Sequence, residues 1–315
     1  ATDYILALDK YGVDVVCRNV TLTQDRKDVD KRILALESKS TEGCNICIQH
    51  VLPHHIVGSD GFDKNIAFVE TETLDITHLP WTEFLKQVDQ VWVANKDSEK
   101  AIKGDGIENV KIVPHTCDTA KYKKRYTELS IPDTENCFKF YYIGDVNDRK
   151  NIESILTCFF SEFDRSEKAS LILKINKFGY SPEQISEHVD KISTKVKSSL
   201  RMHQDVNEYK KLVIISDKTS DEDICSIHQN MDCFLCPTHG EAWSIPSFDA
   251  MAFGNTPICS NFGGPKEFVD KSDWKTGHLV DGAFSVCKCS DAAFPDIFTG
   301  REYWFQPCEM GTRKQ

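Results

Sequence analysis

Residues 138–175 read FKFYYIGDVNDRKNIESILTCFFSEFDRSEKASLILKI, and the apolar pattern changes twice along this stretch. Phe138–Ile143 has the length of a buried strand, and Leu171–Ile175 is a second run of this kind. Between these runs, after the predicted N-cap Asn151, the apolar residues recur at the spacing of one helix face: Ile152, Ile155, Leu156, Phe159, Phe160 and Phe163. Strand, helix and strand together predict a β-α-β unit with a parallel sheet covered on both faces.

The same alternation continues towards the C-terminus. A capping box at Ser181–Gln184 predicts the start of a helix, and Ser220 is the predicted cap of the next one. The further elements predicted here are strands at residues 212–216, 232–236 and 256–260 and a helix at residues 246–253, closed by Gly254. In the N-terminal part we predict strands at residues 13–20, 45–51, 65–70, 90–93 and 110–113 and helices at residues 81–88 and 97–103.

This alternation predicts an α/β protein with two Rossmann-like domains that face a cleft. A chain of 315 residues fits two domains. The polar and basic segment Lys121–Asn136 is the predicted interdomain linker, so the domains are residues 1–125 and 136–315. Ligands of such domains bind at the carboxyl ends of the strands, and we therefore expect the functional residues just after strands.

Composition and charge exclude several classes of protein. With 38 Lys and Arg against 49 Asp and Glu, the net charge of −11 argues against non-specific binding to nucleic acid or anionic membranes. No apolar run reaches about 18 residues, so no transmembrane segment is predicted. The 13 scattered cysteines indicate a reduced, cytoplasmic protein with buried thiols. The pairs Cys44/Cys47 and Cys233/Cys236 do not predict zinc, because residues three apart on a strand point to opposite faces.

The ends of the chain suggest a segment of a longer protein. The chain begins without Met, and a helical pattern of Tyr4, Ile5 and Leu8 is present from its first residues. It ends on a polar tail, and no targeting signal can be read.

The loop Gly144–Asn151 is the first candidate for chemistry. It follows a predicted strand, and Arg149 and Lys150 lie just before a helix N-terminus. Free backbone N–H groups and the positive end of the helix dipole favour an anion there, so the loop predicts a phosphate site. The alternative is that the two side chains are solvated charges in an ordinary β-α loop.

The second and third candidates are loops after two other strands. Glu241 follows the strand that ends at Cys236, and Asp249 lies in the helix that Pro246 opens. A buried Asp249 would need a partner such as a ligand hydroxyl, and the alternative is an exposed helix carboxylate. The segment at residues 49–55 has three His in six residues, which suggests metal binding or proton transfer. No carboxylate lies nearby at ligand spacing, so a metal site is disfavoured and we expect a single His to reach the crevice. For His115, a structural role is equally compatible with the sequence.

Several motifs resemble those of one known family. Residues 236–257 read CPTHGEAWSIPSFDAMAFGNTP, which resembles the signature of GT-B glycosyltransferases of retaining family 4, the glycosyl transferases group 1. That signature has a Glu, seven residues and a second Glu, followed by Ala-Met-Ala. Residues 261–269 (NFGGPKEFV) resemble the family's Gly-Gly…Glu segment, and Gly144–Asn151 resembles its donor-phosphate loop. In the N-terminal half, residues 90–93 and 113–118 are similar to the last two strands of the family's first domain.

The resemblance implies a retaining, metal-independent and cofactor-free transfer of a sugar from a nucleoside-diphosphate sugar to a glycan, lipid or small-molecule acceptor. It implies that the first domain binds the acceptor and the second the donor. Glu241 would contact the donor sugar, Asp249 the ribose hydroxyls and Lys150 the leaving diphosphate, and His50 would face the donor sugar. The full set implied for donor binding is Gly144, Arg149, Lys150, Ala242, Trp243, Ser244, Ile245 and Asp249, and for catalysis Glu241 and His50.

The chain departs from the family pattern at several points. Asp145 stands where the family has Arg, Asp249 where it has the second Glu, and Ala242 where it has Gly. The family's first strand with its Gly-rich loop would precede Ala1, and its C-terminal helix would follow Gln315. These departures favour, as the alternative function, a catalytically weak or inactive nucleotide-sugar-binding module. An epimerase is disfavoured, because neither Tyr-x-x-x-Lys nor Gly-x-Gly-x-x-Gly is visible. A pyridoxal-dependent phosphorylase would be far longer.

Overall fold

The computed structural model describes residues 1–20, 29–288 and 297–315. The chain divides into two compact units, the first made of residues 1–71 and 75–120 and the second of residues 72–74 and 121–315. Each unit contains a parallel sheet with helices between its strands, which confirms the predicted α/β class. No helix within the described ranges is long and apolar enough to cross a membrane.

The first unit is built on a four-stranded sheet. In chain order its elements are α1 (Thr2–Lys10), α2 (Lys31–Glu37), β1 (Ile46–Gln49), β2 (Lys64–Phe68), α3 (Thr82–Leu85), β3 (Gln90–Val93), α4 (Lys96–Gly104) and β4 (Val110–Ile112). The described strands pair in the order β1-β2-β3-β4, and all three pairings are parallel. Four of the five strands predicted in this half are therefore present.

The fifth, predicted at residues 13–20, is wrong. These residues have no regular secondary structure, and Val13 and Val20 are exposed. The Arg18 guanidinium donates hydrogen bonds to the carbonyls of Cys17, Glu37 and Lys39. Apolar content alone predicted a strand here, but a strand also needs a neighbour with which to exchange backbone hydrogen bonds.

The second unit is built on a six-stranded sheet. Its elements are β5 (Phe138–Asp145), α5 (Ile152–Glu162), β6 (Ala169–Asn176), α6 (Pro182–Leu200), β7 (Leu212–Ile215), α7 (Asp221–Gln229), β8 (Cys233–Cys236), α8 (Ile245–Ala252), β9 (Thr256–Ser260), β10 (His278–Val280), β11 (Gly282–Val286), β12 (Tyr303–Pro307) and α9 (Glu309–Arg313). The described strands pair in parallel in the order β10-β9-β8-β5-β6-β7. The antiparallel pair β11-β12 and helix α9 were not predicted from the sequence.

Both faces of this sheet are buried, and neighbouring residues on a strand belong to different core clusters. Cys233 and Leu235 pack with α5 and α6, whereas Phe234 and Cys236 pack with α7 and α8. The thiols of Cys233 and Cys236 therefore lie on opposite faces, as the period of two along a strand predicts.

Two of the three predicted helix caps are confirmed. Ser181 with Gln184 and Ser220 with Asp223 form capping boxes at the starts of α6 and α7. The predicted cap at Asn151 is wrong in its mechanism. The Asn151 side chain makes no cap hydrogen bond, and its amide donates to the Pro237 carbonyl at 2.9 Å.

The predicted linker is packed onto the second unit. Ile131 is buried in the core that contains Tyr141 and Phe234, and the Tyr126 amide donates to the Gln229 side chain at 2.9 Å. The segment Lys121–Asn136, predicted as the interdomain linker, is therefore part of the second unit, because its apolar residues pack against a sheet face that the local sequence does not reveal.

Candidate functional site

The sheet order of the second unit brings two of the predicted loops together. β5 pairs directly with β8, so the loops that follow these strands leave the same edge of the sheet as neighbours. The His239 amide donates to the Arg149 carbonyl at 2.8 Å, and the Asn151 side chain donates to the Pro237 carbonyl. The loop of Arg149 and the loop of Glu241 thus form one surface at the carboxyl ends of the strands.

The backbone of the first loop is tightly specified. Gly144 lies under the side chain of Tyr142, and a Cβ there would overlap the Tyr142 hydroxyl. Asn147 Oδ1 accepts a hydrogen bond from the Lys150 amide at 3.0 Å and so caps the short turn Asp148–Lys150. Asn151 has a left-handed backbone (φ 54°), which Asn tolerates better than most residues. These constraints fix the backbone positions from which the Arg149 and Lys150 side chains extend.

Glu241 lies between these two cations. Its Oε1 accepts hydrogen bonds from Lys150 Nζ at 2.7 Å and from Arg149 Nη1 at 3.0 Å. Arg149 Nη1 also donates to the Gly240 carbonyl at 2.6 Å, and its Nη2 lies 3.4 Å from Glu72 Oε1. The result is a cluster of two carboxylates and two cations, which we call the charge cluster (Glu72, Arg149, Lys150 and Glu241).

In the charge cluster, burial and ion pairing shift the pKa values of the side chains in opposite directions. Burial by itself would raise the pKa of Glu241, but the charges of Lys150 and Arg149 outweigh it and hold that pKa below its usual value. Burial likewise would lower the pKa of Arg149, and the carboxylates of Glu72 and Glu241 raise it instead. Glu241 and Arg149 are therefore both charged at neutral pH.

The loop between Glu241 and α8 has a strained backbone. Ser244, the N-cap of α8, has φ 68° and ψ 67°, a left-handed conformation that is rare for a residue with a side chain. Its hydroxyl lies 2.7 Å from that of Ser247. The amide of Gly264 donates to the Glu241 carbonyl at 2.8 Å, and a Cβ on Gly264 would overlap the Trp243 backbone. The hydroxyl of Ser247 and the amide of Gly264 thus both hold the strained turn in place.

The other members of the predicted donor-binding set have different environments. Ala242 is buried, and the Trp243 ring packs against Phe248 and Phe268 with ring centroids 5.9 and 5.4 Å apart. Ile245, the first residue of α8, is exposed. These contacts indicate a structural role for the Trp243 side chain. A ligand that contacts Trp243 would therefore do so through the backbone of this residue.

Asp249 is buried with only 7% of its surface exposed, so the alternative of an exposed helix carboxylate is wrong. Its Oδ2 accepts a hydrogen bond from Lys121 Nζ at 2.9 Å, and its Oδ1 accepts one from the Tyr122 hydroxyl at 2.6 Å. Each carboxylate oxygen can accept a second hydrogen bond. The ribose role predicted for Asp249 is therefore compatible with these partners and stays a prediction.

His50 belongs to the first unit and lies beside a second histidine. Glu70 Oε1 is 2.8 Å from His115 Nε2 and 3.6 Å from His50 Nε2, and the His50 ring stacks on Phe68 at 4.6 Å. Burial by itself would raise the pKa of Glu70, but the hydrogen bonds from His115 and His50 outweigh it and lower that pKa. The two histidines follow different strands and meet at one carboxylate.

Sequence reasoning missed three residues that the site contains. Glu72 lies beyond the end of β2, and only its acidic character near a strand end could have suggested it. Lys121 and Tyr122 were placed in the predicted linker, where a basic residue gave no sign of a buried partner. In the described parts of the chain, no group of three or more His, Cys, Asp or Glu side chains could hold a metal ion.

A protein-family model matches about half of the chain. The model of the family described as "Glycosyl transferases group 1" matches residues 130–291. Comparison with the curated proteins gave no match.

Several solved structures have a fold similar to that of this chain. The OtsA apo structure has a TM-score of 0.52 and 10% sequence identity, over 68% of this chain and 57% of that chain. Anabaena Alr3699/HepE in complex with UDP-glucose has a TM-score of 0.50 and 13% identity, over 69% and 58%. The UDP-forming trehalose-phosphate synthase of Burkholderia xenovorans has a TM-score of 0.53 and 9% identity, over 68% and 59%. At these identities the likeness shows the fold alone, and the aligned region spans less than two thirds of each of these chains.

Proposed function

Because this chain belongs to the glycosyl transferases group 1 family, we propose that it transfers a sugar from a nucleoside-diphosphate sugar to an acceptor. The acceptor is a glycan, a lipid or a small molecule, and the transfer retains the configuration at the sugar carbon. The observation that carries this proposal is the pairing of Lys150 and Arg149 with Glu241 at the carboxyl edge of the six-stranded sheet.

The chemistry of transfer needs positive charge where the leaving group forms. Cleavage of the bond between the sugar and the diphosphate leaves negative charge on the phosphate and positive charge on the sugar. The Lys150 amide donates a hydrogen bond to Asn147 Oδ1 and its Nζ donates one to Glu241, so the position of Lys150 is set before the substrate binds. A preorganised cation stabilises the charge that develops in the transition state, and we propose that Lys150 supplies it without a metal ion.

The other predicted roles fit the same arrangement. Glu241 contacts the hydroxyls of the donor sugar, and the backbone of Ala242–Ser244 holds the sugar and the phosphates. Asp249, held by Lys121 and Tyr122, accepts hydrogen bonds from the ribose hydroxyls. The catalytic role of His50 stays a prediction that rests on the resemblance. HepE was solved with UDP-glucose, and UDP-sugars are therefore the first donors to test.

The alternative function is a nucleotide-sugar-binding module without transfer activity. Two observations favour it: Glu241 and Glu72 already pair with Lys150 and Arg149, and Asp145 places a carboxylate in the same loop. Such a module would bind the donor and would release no nucleotide.

A thermal-shift panel of UDP-, GDP- and ADP-sugars tests donor binding. A ligand at 100 times its dissociation constant should stabilise the protein by about 2.7 kcal/mol. Lys150→Ala should remove the shift, whereas Lys195→Ala, which removes an exposed cation paired with Glu153, should keep it. If no nucleotide sugar shifts the melting temperature of the wild-type protein, both functions are excluded.

Release of the nucleoside diphosphate separates the two functions. We expect the wild-type protein with donor and an acceptor mixture to release it, and Glu241→Ala to abolish release. If the wild-type protein binds donor and releases nothing with glycan, lipid and small-molecule acceptors, the binding module is the correct function. Unchanged turnover in Glu241→Ala would overturn the role of this residue.

A further inference from the structure

The turn after β6 presents an aromatic ring to solvent. The Tyr180 amide donates to the Lys177 carbonyl at 3.2 Å, and Gly179 has φ +78°, which are the features of a type II turn with glycine at its third position. Phe178 is at the second position of this turn and 92% of its surface is exposed. A single exposed apolar side chain is common on protein surfaces. The exposure of Phe178 therefore indicates a function only if the ring lies beside a candidate site.

This turn lies directly beside the phosphate loop. β6 pairs in parallel with β5 up to Asp145 and Asn176, and the Val146 amide donates to the Asn176 carbonyl at 3.0 Å. Lys177 Nζ donates to the Val146 carbonyl at 3.1 Å. The turn that carries Phe178 is therefore attached to the same loop that carries Lys150.

The turn is also supported from the helix side. Lys177 Nζ lies 5.2 Å from the centre of the Tyr180 ring, and the Tyr180 ring makes an edge contact with His188 of α6 at 6.1 Å. Ser181 begins α6 with its capping box directly after the turn. The Tyr180 ring thus contacts both Lys177 and α6 and helps to hold the turn in place. The Phe178 ring, in contrast, is exposed on the same turn.

We propose that Phe178 stacks against the base of the donor nucleotide. The inference rests on the proposed function, because it takes the diphosphate to bind near Lys150. The base is the aromatic part of such a ligand, and it is joined through the ribose to the phosphates. An exposed ring next to the phosphate loop offers a flat apolar face to the base, and every base has a face that can stack.

Stacking of this kind predicts affinity without selectivity between bases. Phe178 has no hydrogen-bonding group with which to distinguish the edges of uracil and guanine. We therefore expect it to strengthen the binding of UDP and of GDP alike and to leave inorganic pyrophosphate, which has no base, unaffected.

The test compares these three ligands by titration calorimetry. In Phe178→Ala we expect the dissociation constants of UDP and GDP to rise about tenfold, the size of a lost base–aromatic stack, with pyrophosphate unchanged. Phe178→Trp should restore the affinity for both nucleotides. Trp274→Ala is the matched control, because Trp274 is also an exposed aromatic residue (66%) but lies before β10, towards the opposite edge of the sheet.

Two results would overturn the inference while leaving the proposed function intact. One is unchanged UDP and GDP binding in Phe178→Ala. The other is an equal loss of pyrophosphate binding, which would mean that the turn only supports the phosphate loop. If the wild-type protein binds neither nucleotide, the proposed function fails first and the inference fails with it.

Discussion

Lys150 Nζ lies 2.7 Å from Glu241 Oε1, and Arg149 Nη1 lies 3.0 Å from the same oxygen. One buried carboxylate thus holds two cations that come from the loop of a neighbouring strand. The positions of both cations depend on this glutamate.

We expect Glu241→Gln to lower the free energy of unfolding by about 3 kcal/mol, because it leaves two cations of the cluster without their shared counter-ion. Urea unfolding at neutral pH measures this loss. Because the pKa of Glu241 is lowered in the folded state, its stabilisation is present above the ordinary carboxyl pKa of 4.5 and is lost as the pH falls through the lower, folded-state value. Glu153→Gln, which removes an exposed partner of Lys195, is the control and should cost less than about 1 kcal/mol. Equal, small losses of unfolding free energy in both variants would contradict the conclusion that Glu241 holds both cations.

Tyr122→Phe should destabilise the second unit by about 1.5 kcal/mol, because it removes a hydrogen bond to the buried carboxylate of Asp249. The variant keeps the ring and its edge contact with Phe253. Tyr303→Phe changes an exposed tyrosine and should leave stability nearly unchanged. If the two variants unfolded at the same urea concentration, the hydrogen bond from Tyr122 to Asp249 would not contribute to stability and the prediction would be wrong.

His228 should make the protein sensitive to acid. Its ring is buried, its Nδ1 lies 2.7 Å from the Tyr141 hydroxyl, and burial lowers its pKa to about 4, with Asp249 opposing and Lys121 supporting the shift. An unfolded chain binds a proton at this histidine at about pH 6.5, whereas the folded chain does not until about pH 4.

Stability should therefore fall as the pH drops from about 6.5 to 4, by at most about 3 kcal/mol from this group. His228→Gln should flatten this part of the profile of unfolding free energy against pH. The exposed His78→Gln serves as the reference. A profile with the same slope in wild type and His228→Gln would show that other groups control acid sensitivity.

Gly264→Ala should damage the site through the backbone. The new Cβ would overlap the backbone of Trp243, so the turn that donates to the Glu241 carbonyl must move. We expect a loss of about 2 kcal/mol in unfolding free energy, together with weaker donor binding. Gly104→Ala is matched to it, because a Cβ on Gly104 meets nothing within 4 Å, and it should be neutral or slightly stabilising. A thermal-shift comparison decides between these results, and equal melting temperatures would refute the steric argument.

The sequence determined the local elements and the strand ends at which the two candidate loops lie. The stripe from Ile152 to Phe163 and the run of residues 171–175 predicted α5 and β6, because helix and strand periods are properties of neighbouring residues. Gly144–Asn151 and the Glu241 loop were expected at the carboxyl ends of strands, where the structure has them. Where the same reasoning failed, at residues 13–20, the missing condition was a partner strand.

Only the tertiary structure decided which charges meet. Glu72 pairs with Arg149, and Lys121 and Tyr122 pair with Asp249, although they are far apart in the chain. The physical reason is that a buried ion pair depends on distances of a few ångströms between side chains. Those distances follow from strand order and loop packing, and no spacing along the chain encodes them.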